Sequence, residues 1–162
     1  MSIKLFVMDI DGTLTDGKIY VGETGELFKA FCIKDGFAIK NLLPSAGIVP
    51  VIITGRSSKI VEHRAAELGV REVYQGVEDK VPVLLSVIKK YKATVEETAY
   101  IGDDDNDLSC FSLCNHTACP NDASENIKKL SGYICKRSGG NGAVREYIDR
   151  IIHLFQLNPV SR

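Results

Sequence analysis

The chain has 162 residues, of which 44% are hydrophobic and 25% are charged, and its net charge at pH 7 is −1. This composition is typical of one soluble globular domain, and the near-neutral charge indicates neither a nucleic-acid partner nor a membrane partner. No apolar run is long enough to span a bilayer, and Asp9 and Asp11 interrupt any N-terminal signal sequence. We therefore expect a single cytoplasmic domain over residues 1–162.

The first strong pattern is an apolar run that ends in two carboxylates. Residues 3–8 are apolar except for Lys4, which predicts a buried parallel strand, and Asp9 and Asp11 follow directly. Side chains alternate along a strand, so the two acids would share one face. Two carboxylates held so close are costly unless a cation or a proton separates them. This stretch therefore predicts a metal ion, a phosphate-like partner or both at the edge of a sheet.

A β-hairpin is predicted directly after the acidic pair, within residues 17–31. Two alternating arms flank the turn sequence Gly22-Glu-Thr-Gly25. Because of its position, this insertion either overhangs the acidic site or forms an interface.

The remaining chain alternates helices with short strands. Asp35 is a candidate N-cap of a helix that Gly47 ends, with Pro44 ending or bending it near its last turn. Further strands are predicted at 49–53, 72–74, 98–101, 117–119 and 133–134. Further helices are predicted from Ser57 or Ser58 to Leu68, over 80–91 and 108–114, from Asn121 or Asp122 to Leu130, and over 143–157. This alternation predicts an α/β fold with a doubly wound, mostly parallel sheet and helices on both faces.

Five cysteines are present: Cys32, Cys110, Cys114, Cys119 and Cys135. Their odd number in a chain of this size argues against a disulfide framework, and the absence of a C-x-x-C pair argues against a zinc site with His116. We expect reduced, partly buried thiols.

Polar signals follow successive predicted strands, namely Asp9 and Asp11, Thr54, Lys80, and the acidic run 103–107. The carboxyl ends of parallel strands lie at the same edge of a sheet, so these groups are expected to gather there. Each signal alone has an ordinary explanation, such as a turn, a calcium-type loop, a surface lysine or a solvated helix start. Their joint order is what indicates catalysis.

Taken in this order, the segments around these polar residues resemble the four motifs of the haloacid dehalogenase superfamily of phosphotransferases. The resemblance covers nearly the whole chain. The motifs are Asp-Ile-Asp-Gly-Thr at 9–13, Ile-Thr-Gly at 53–55, Lys80, and Gly-Asp-Asp-x-x-Asp at 102–107. The resemblance implies a Rossmann-like core and a phosphomonoester hydrolase.

The chemistry of phosphate ester hydrolysis assigns expected roles to these residues. Asp9 is the predicted nucleophile, which would form an aspartyl-phosphate, and Asp11 is the predicted general acid and then base. Thr54 would hydrogen-bond a phosphoryl oxygen, and Lys80 would neutralise charge on the phosphoryl group and on Asp9.

Magnesium is the expected cofactor, because Mg²⁺ is a hard cation that prefers oxygen ligands and often keeps waters. Asp9 and Asp103 would be direct ligands, and Asp107 would bind through water or hold the surrounding shell. The backbone carbonyl of Asp11 would reach the metal, as the family pattern implies. The adjacent acids Asp104 and Asp105 are assigned only to the surface or to the start of a helix.

The spacing of the motifs leaves room for the hairpin but for no sizeable cap domain. Within the superfamily, the chain resembles a narrower group of capless phosphatases that act on 2-keto-3-deoxy sugar acid phosphates. The segments that carry this likeness are 16–20, 31–36, 53–59, 74–76 and 139–146. The resemblance implies a homotetramer in which the hairpins assemble centrally and a neighbouring subunit covers each site. It also implies a role in bacterial lipopolysaccharide synthesis.

The same resemblance suggests substrate contacts at Asp11, Lys34, Asp35, Gly36, Lys40, Thr54, Gly55, Arg56, Arg64 and Lys80. A sugar acid phosphate carries a phosphate at one end and a carboxylate at the other, so cations are needed at two separated places. Arg56 and Arg64 are two turns apart on one predicted helix, and a guanidinium pairs well with a carboxylate. In the group that the chain resembles, the residue after Thr-Gly differs with the substrate. The resemblance therefore implies that Arg56 favours an eight-carbon substrate, and a nine-carbon sugar acid 9-phosphate is the alternative.

Two hypotheses from a different functional class remain beside the phosphatase hypothesis. A receiver-type signalling domain also combines acids, a Thr and a Lys on a doubly wound sheet, but its phosphoacceptor Asp would lie near Thr54, where this chain has none. An inactive regulatory relative is the second reading, and the intact acids argue against it.

Overall fold

The computed structural model describes residues 2–155 and contains eight strands in that range. In chain order they are β1 (Leu5–Met8), β2 (Tyr20–Gly22), β3 (Gly25–Phe28), β4 (Val49–Ile53), β5 (Glu72–Tyr74), β6 (Thr98–Ile101), β7 (His116–Cys119) and β8 (Tyr133–Ile134). Six of them form one parallel sheet in the order β5-β4-β1-β6-β7-β8, and β2 and β3 form a separate hairpin. The α/β fold with a hairpin insertion is confirmed.

The helices cover both faces of the sheet. They are α1 (Ile33–Phe37), a π-helical segment (Ala38–Leu42), α2 (Leu43–Ser45), α3 (Lys59–Leu68), α4 (Lys80–Lys90), α5 (Leu108–Leu113), α6 (Glu125–Leu130) and α7 (Ala143–Leu154), with short 3₁₀ turns at Val95–Glu97 and Asp105–Asp107. Within residues 2–155 none of these is long and apolar enough to cross a bilayer.

Strand β1 lies at the centre of the sheet and is buried along its whole length. Its residue Val7 pairs with Val51 of β4 on one side and with Tyr100 of β6 on the other. The strand order therefore reverses at β1, which is the point where open α/β sheets bind ligands beyond the carboxyl ends of their strands. Because β1, β4 and β6 are parallel neighbours, the loops that follow them meet at one edge.

Two hydrophobic layers hold the sheet. One layer packs α3 and α7 against one face through residues such as Phe6, Val61 and Tyr147. The other packs α4 and α5 against the opposite face through residues such as Leu84 and Phe111. The all-apolar sequence of β1 is explained by this burial on both faces.

The hairpin is separate from the six-stranded sheet and exposes apolar side chains. The rings of Tyr20 and Phe28 stack across the two strands with centroids 4.4 Å apart. Val21 is 65% exposed and Leu27 is 59% exposed. Several exposed apolar side chains lie together on this one element, which marks the hairpin as a candidate contact surface.

Two predicted helix starts were wrong. Helix α1 begins at Ile33 with Cys32 as N-cap, so Asp35 lies inside the helix rather than capping it. The π-helical segment precedes Pro44, which has no N–H to continue an α-helical ladder. Helix α6 is capped by Ser124, whose hydroxyl accepts a hydrogen bond from the backbone N–H of Ile127.

Asp122, a predicted alternative cap of α6, has a different partner. Its carboxylate accepts a hydrogen bond from the backbone N–H of Gly139, 17 residues away. This long-range contact competes with the local cap and carries no local sequence signal. The predicted end of the last helix at Leu157 lies outside the described residues.

Candidate active site

Three carboxylates meet at the carboxyl edge of the central strands. Asp9 follows β1, and Asp103 and Asp107 lie in the loop and 3₁₀ turn after β6. One oxygen from each of these three residues lies within 4.8 Å of the other two. Asp9 is 4% exposed and Asp107 is fully buried. The structure thus gathers acids that are about 100 residues apart in the sequence.

Lys80 provides the positive charge at this cluster. It is the first residue of α4, and its Nζ donates to Asp107 Oδ1 at 2.7 Å and lies 3.2 Å from Asp9 Oδ1. Its side chain is 1% exposed. Burial lowers the pKa of Lys80, but the charges of Asp9 and Asp107 outweigh burial and raise it above its usual value. Lys80 is therefore held as a buried cation beside two acids.

Asp107 is fully engaged by protein donors. Tyr100 donates its hydroxyl to Asp107 Oδ1 at 2.7 Å, and the backbone N–H of Asp103 donates to Oδ2 at 3.2 Å. Together with Lys80, these bonds fix both oxygens. This arrangement favours a role for Asp107 in holding the cluster or in binding a cation through water, rather than one that needs a free carboxylate.

The electrostatics of the cluster are strained without a cation. Burial, reinforced by the negative charge of Asp107 and opposed by Lys80, raises the pKa of Asp9 to about 6. Burial and the charge of Asp9 raise the pKa of Asp103 to about 8, although a hydrogen bond from Thr13 opposes the rise. Lys80 pairs with Asp9 and Asp107 but not with Asp103, so the cluster holds more carboxylates than its one buried cation can neutralise.

The donor set fits Mg²⁺. Asp9 Oδ1 is buried and receives no hydrogen bond from residues 2–155, although Lys80 lies close as an ion pair. Carboxylate oxygens are the ligands that Mg²⁺ prefers, and a few of them suffice because this ion keeps waters. Asp9, Asp103 and Asp107 are the residues that could hold it.

The turn after β1 is shaped around Asp103. Gly12 has φ of +90°, and a Cβ at this position would overlap the Asp103 carboxylate. The next residue, Thr13, donates its hydroxyl to Asp103 Oδ1 at 2.8 Å. Glycine is required here both for its positive φ and for the close approach. The Asp-Gly-Thr part of the motif therefore positions a carboxylate in the loop after β6.

Asp11 points to a different partner. Lys29, which follows β3 of the hairpin, places its Nζ 2.6 Å from Asp11 Oδ1 and 2.8 Å from Glu26 Oε1. The Lys29 side chain is only 2% exposed. Glu26 also accepts a hydrogen bond from Ser58 Oγ at 2.5 Å and lies 3.7 Å from the Arg56 guanidinium. The hairpin is therefore tied to Asp11 on one side and to the loop after β4 on the other.

Thr54 and Gly55 lie between these two networks. Thr54 is buried after β4, and its backbone donates to Tyr74 O at the end of β5 and accepts from Val77 N in the loop that follows β5. A Cβ on Gly55 would lie 3.7 Å from the Asn106 side chain, in the acidic loop. The loops after β4 and β6 are thus neighbours, as the parallel order predicts.

The other predicted substrate contacts lie on helices. The expectation that Arg56 and Arg64 share one helix was wrong, because α3 begins at Lys59 and Arg56 lies in the loop before it. Lys34 and Lys40 are exposed. Arg64 pairs with Glu67 at 2.8 Å and lies over the Phe31 ring at 5.6 Å. The structure does not place these cations in contact with the acid cluster, so their roles stay predictions.

Asp35 and Gly36 line a small cavity together with Arg64 and with Ile10 and Leu14 from the turn after β1. The cavity volume is about 10 Å³. Asp35 is 1% exposed and accepts a hydrogen bond from the backbone N–H of Arg145 at 2.8 Å, while its Oδ2 has no partner within the described range. Asp35 therefore joins α1 to the start of α7.

Burial raises the pKa of Asp35 from its ordinary value of 3.8 to about 6, despite hydrogen bonds from the backbone of Arg145 and Gly142. Stability linked to this group is full below about pH 4 and is lost as the pH rises through 6, by up to about 3 kcal/mol. We expect Asp35→Asn to become more stable relative to wild type as the pH rises over this window. Urea unfolding at pH 4.5 and pH 8 measures the change.

Asp149→Asn removes an exposed carboxylate from α7, where Asp149 pairs with Arg145, and is the matched control. A difference between Asp35→Asn and wild type that stays constant between these two pH values would contradict the expectation.

Asp104 and Asp105 face away from the cluster. Asp104 accepts from the backbone N–H of Asp105, and Asp105 accepts from Ser124 and Asn126. Both side chains are exposed and stabilise the start of the 3₁₀ turn and its contact with α6. This matches the expectation that they are surface acids.

Sequence reasoning missed four polar residues at the site: Thr13, Glu26, Lys29 and Tyr100. Lys29 and Glu26 lie within the predicted hairpin, where a single charged residue gives no sign of a partner elsewhere in the chain. Tyr100 lies inside a predicted strand, and its hydroxyl gave no separate signal. Only Thr13 carried a signal, since it lies inside the Asp-Ile-Asp-Gly-Thr motif.

Comparison with known proteins places this geometry in a family. A family model described as haloacid dehalogenase-like hydrolase matches residues 69–148. The Escherichia coli K12 protein named 3-deoxy-D-manno-octulosonate 8-phosphate phosphatase KdsC is 38% identical over 151 residues, which are 93% of this chain and 80% of that protein.

Solved structures agree with this match. A Moraxella catarrhalis phosphatase of the same name, in complex with magnesium, phosphate and KDO, is 40% identical with a TM-score of 0.91, covering 95% of this chain and 88% of that one. The cobalt-bound Haemophilus influenzae enzyme is 35% identical with a TM-score of 0.92, covering 96% and 90%. The chain belongs to the haloacid dehalogenase-like hydrolase family.

Proposed function

We propose that this protein is a magnesium-dependent phosphatase that hydrolyses 3-deoxy-D-manno-octulosonate 8-phosphate to the free sugar acid and phosphate. The observation that carries the proposal is the convergence of Asp9, Lys80, Asp103 and Asp107 at the switch point of the sheet. Relatives with this name align with almost the whole chain. The same arrangement supports the wider class of 2-keto-3-deoxy sugar acid phosphates as substrates.

In the proposed reaction, Asp9 is the nucleophile and Asp11 is the general acid and then the general base. A carboxylate oxygen of Asp9 forms a bond to phosphorus while the bond from phosphorus to the sugar oxygen breaks, and Asp11 gives its proton to that oxygen. Asp11 then takes a proton from water, whose oxygen attacks phosphorus and breaks the bond to Asp9. Phosphate leaves and both aspartates are regenerated.

Lys80 and Thr54 act on the phosphoryl group in this proposal. The Lys80 ammonium is already ion-paired with Asp9, so it can offset negative charge on the nucleophile and on the phosphoryl oxygens. Mg²⁺ would be held by the carboxylates of Asp9 and Asp103 and the backbone carbonyl of Asp11, and Asp107 would bind it through water or position the other ligands. The ion would reduce the repulsion between the phosphate ester dianion and the attacking carboxylate.

The carboxylate end of the substrate requires a second cationic region. Arg56 is the nearest candidate, because it follows Thr54 and Gly55 directly and is half exposed. Lys34, Asp35, Gly36, Lys40 and Arg64 remain candidates that rest on the resemblance. Arg56 favours the eight-carbon sugar acid, and the nine-carbon 9-phosphate is the second candidate substrate.

We also propose a cytoplasmic homotetramer as the working form, acting in lipopolysaccharide synthesis. The exposed apolar side chains of the hairpin support burial against other copies, since surfaces of this kind mark protein contacts. A tetramer would place neighbouring subunits over a site that has no cap domain within residues 2–155.

A phosphate-release screen tests the substrate. We expect turnover of the eight-carbon keto acid phosphate with Mg²⁺ to exceed that of the nine-carbon compound and of hexose phosphates by about tenfold or more, and we expect it to stop when EDTA removes the metal. Comparable rates on hexose phosphates would contradict the substrate class. Slow labelling of one aspartate without steady phosphate release would favour a receiver-like domain.

A further inference from the structure

The hairpin places a buried lysine on the carboxylate proposed to carry the proton. Lys29 Nζ lies 2.6 Å from Asp11 Oδ1 and 2.8 Å from Glu26 Oε1, and its side chain is 2% exposed. A side chain this buried with two carboxylate partners is fixed in one position, unlike an exposed surface lysine.

Glu26 anchors this lysine from the other side. Its carboxylate is held by Ser58 Oγ, at the start of α3, and by the Arg56 guanidinium. Because Ser58 belongs to the scaffold and not to the hairpin, the chain of contacts from Ser58 through Glu26 and Lys29 fixes the position of Asp11. The hairpin therefore braces the loop that follows β1.

The contact also distinguishes the two oxygens of Asp11. Lys29 engages Oδ1, which leaves Oδ2 as the oxygen available to carry a proton to a leaving group. A general acid must hold its proton within hydrogen-bond reach of the leaving oxygen, so the orientation of this carboxyl group matters for the rate. Without Lys29, the carboxylates of Asp11 and Glu26 would lack their shared cation.

We propose that Lys29 is the positioning residue for Asp11 and that the hairpin contributes to catalysis through it. This inference rests on the proposed phosphatase function. Lys29 acts through Asp11 and not on the phosphoryl group, so its loss slows the steps that need proton transfer and leaves the binding of phosphate to Lys80 and Thr54 intact.

Two esters separate proton transfer from phosphoryl chemistry. An alkyl phosphate such as 3-deoxy-D-manno-octulosonate 8-phosphate needs a proton on its leaving oxygen, whereas p-nitrophenyl phosphate releases a stable phenolate. With enzyme in excess over substrate, the rate of alcohol release reports the first step alone. The variants are Lys29→Met, which keeps the length of the side chain, and Lys29→Arg, which keeps the charge. Lys89→Met at an exposed site on α4 is the control.

We expect Lys29→Met to slow release from the alkyl ester by about tenfold or more and release from p-nitrophenyl phosphate by less than about threefold. The enzyme concentration that gives half of the maximal rate should change little. Lys29→Arg should recover most of the lost rate. A crystal structure of Lys29→Met should show the Asp11 carboxylate turned from its wild-type position. If Lys29→Met does not fold, Lys29→Gln takes its place under the same criteria.

Equal losses with both esters, or an unchanged rate with the alkyl ester, would overturn the inference while leaving the phosphatase function in place. A wild-type protein that hydrolyses neither ester would overturn the proposed function, and this inference with it.

Discussion

Replacing Asp9 by asparagine should lower turnover by at least about 10⁴-fold, because the amide cannot attack phosphorus and form the acyl phosphate. The fold should survive, since Asn fills the same volume at the end of β1. Asp9 is buried beside Asp107, and burial together with that negative charge raises its pKa to about 6. The loss of this charge should therefore leave the free energy of unfolding without Mg²⁺ at neutral pH no lower than that of wild type.

Phosphate release and urea unfolding, measured on the same preparation, test both parts of this expectation. Asp105→Asn is the matched control. Asp105 lies after β6 at the same edge of the sheet, but its carboxylate bonds to Ser124 and Asn126 on the surface. Retention of activity in Asp9→Asn would remove Asp9 from the role of nucleophile, whatever the stability result.

The acid cluster was predictable because the order of strands fixes where their ends meet. Asp9 and Asp103 each follow an apolar run of strand length, and a parallel sheet brings such ends to one edge without any further information. In the structure β1 pairs with both β4 and β6, so the residues that follow these three strands lie next to one another. Lys80 was predictable for the same reason, since it opens the helix after β5.

The contacts of Asp35 and Lys29 could not be predicted from the sequence. The true partner of Asp35 is the backbone of Arg145, 110 residues away, and a local N-cap pattern cannot reveal a contact over that distance. Lys29 pairs with Asp11 only because the hairpin folds back over the loop after β1. The angle at which a hairpin leaves a sheet depends on tertiary packing, so its polar residues could not be assigned to the site beforehand.

Replacing Lys80 by methionine should have the largest effect on stability. The change leaves the buried carboxylates of Asp9 and Asp107 without their shared cation, and removing one partner of a buried ion pair typically costs about 3–5 kcal/mol. Turnover should also fall by about 10²–10³-fold, because the charge that faces the phosphoryl group is lost. Urea unfolding without metal measures the first effect, and phosphate release measures the second.

The cause can be separated from a general packing defect. Asp107→Asn in the Lys80→Met background removes one of the two stranded charges, so the double variant should recover part of the lost stability, which a double-mutant cycle quantifies. Mg²⁺ should stabilise Lys80→Met more than wild type, since a bound cation replaces the missing positive charge among Asp9, Asp103 and Asp107. Lys89→Met, on the exposed face of the same helix, is the control. If the cycle shows no coupling and Mg²⁺ stabilises Lys80→Met no more than it stabilises wild type, Lys80 contributes packing volume and its charge does not balance the acids.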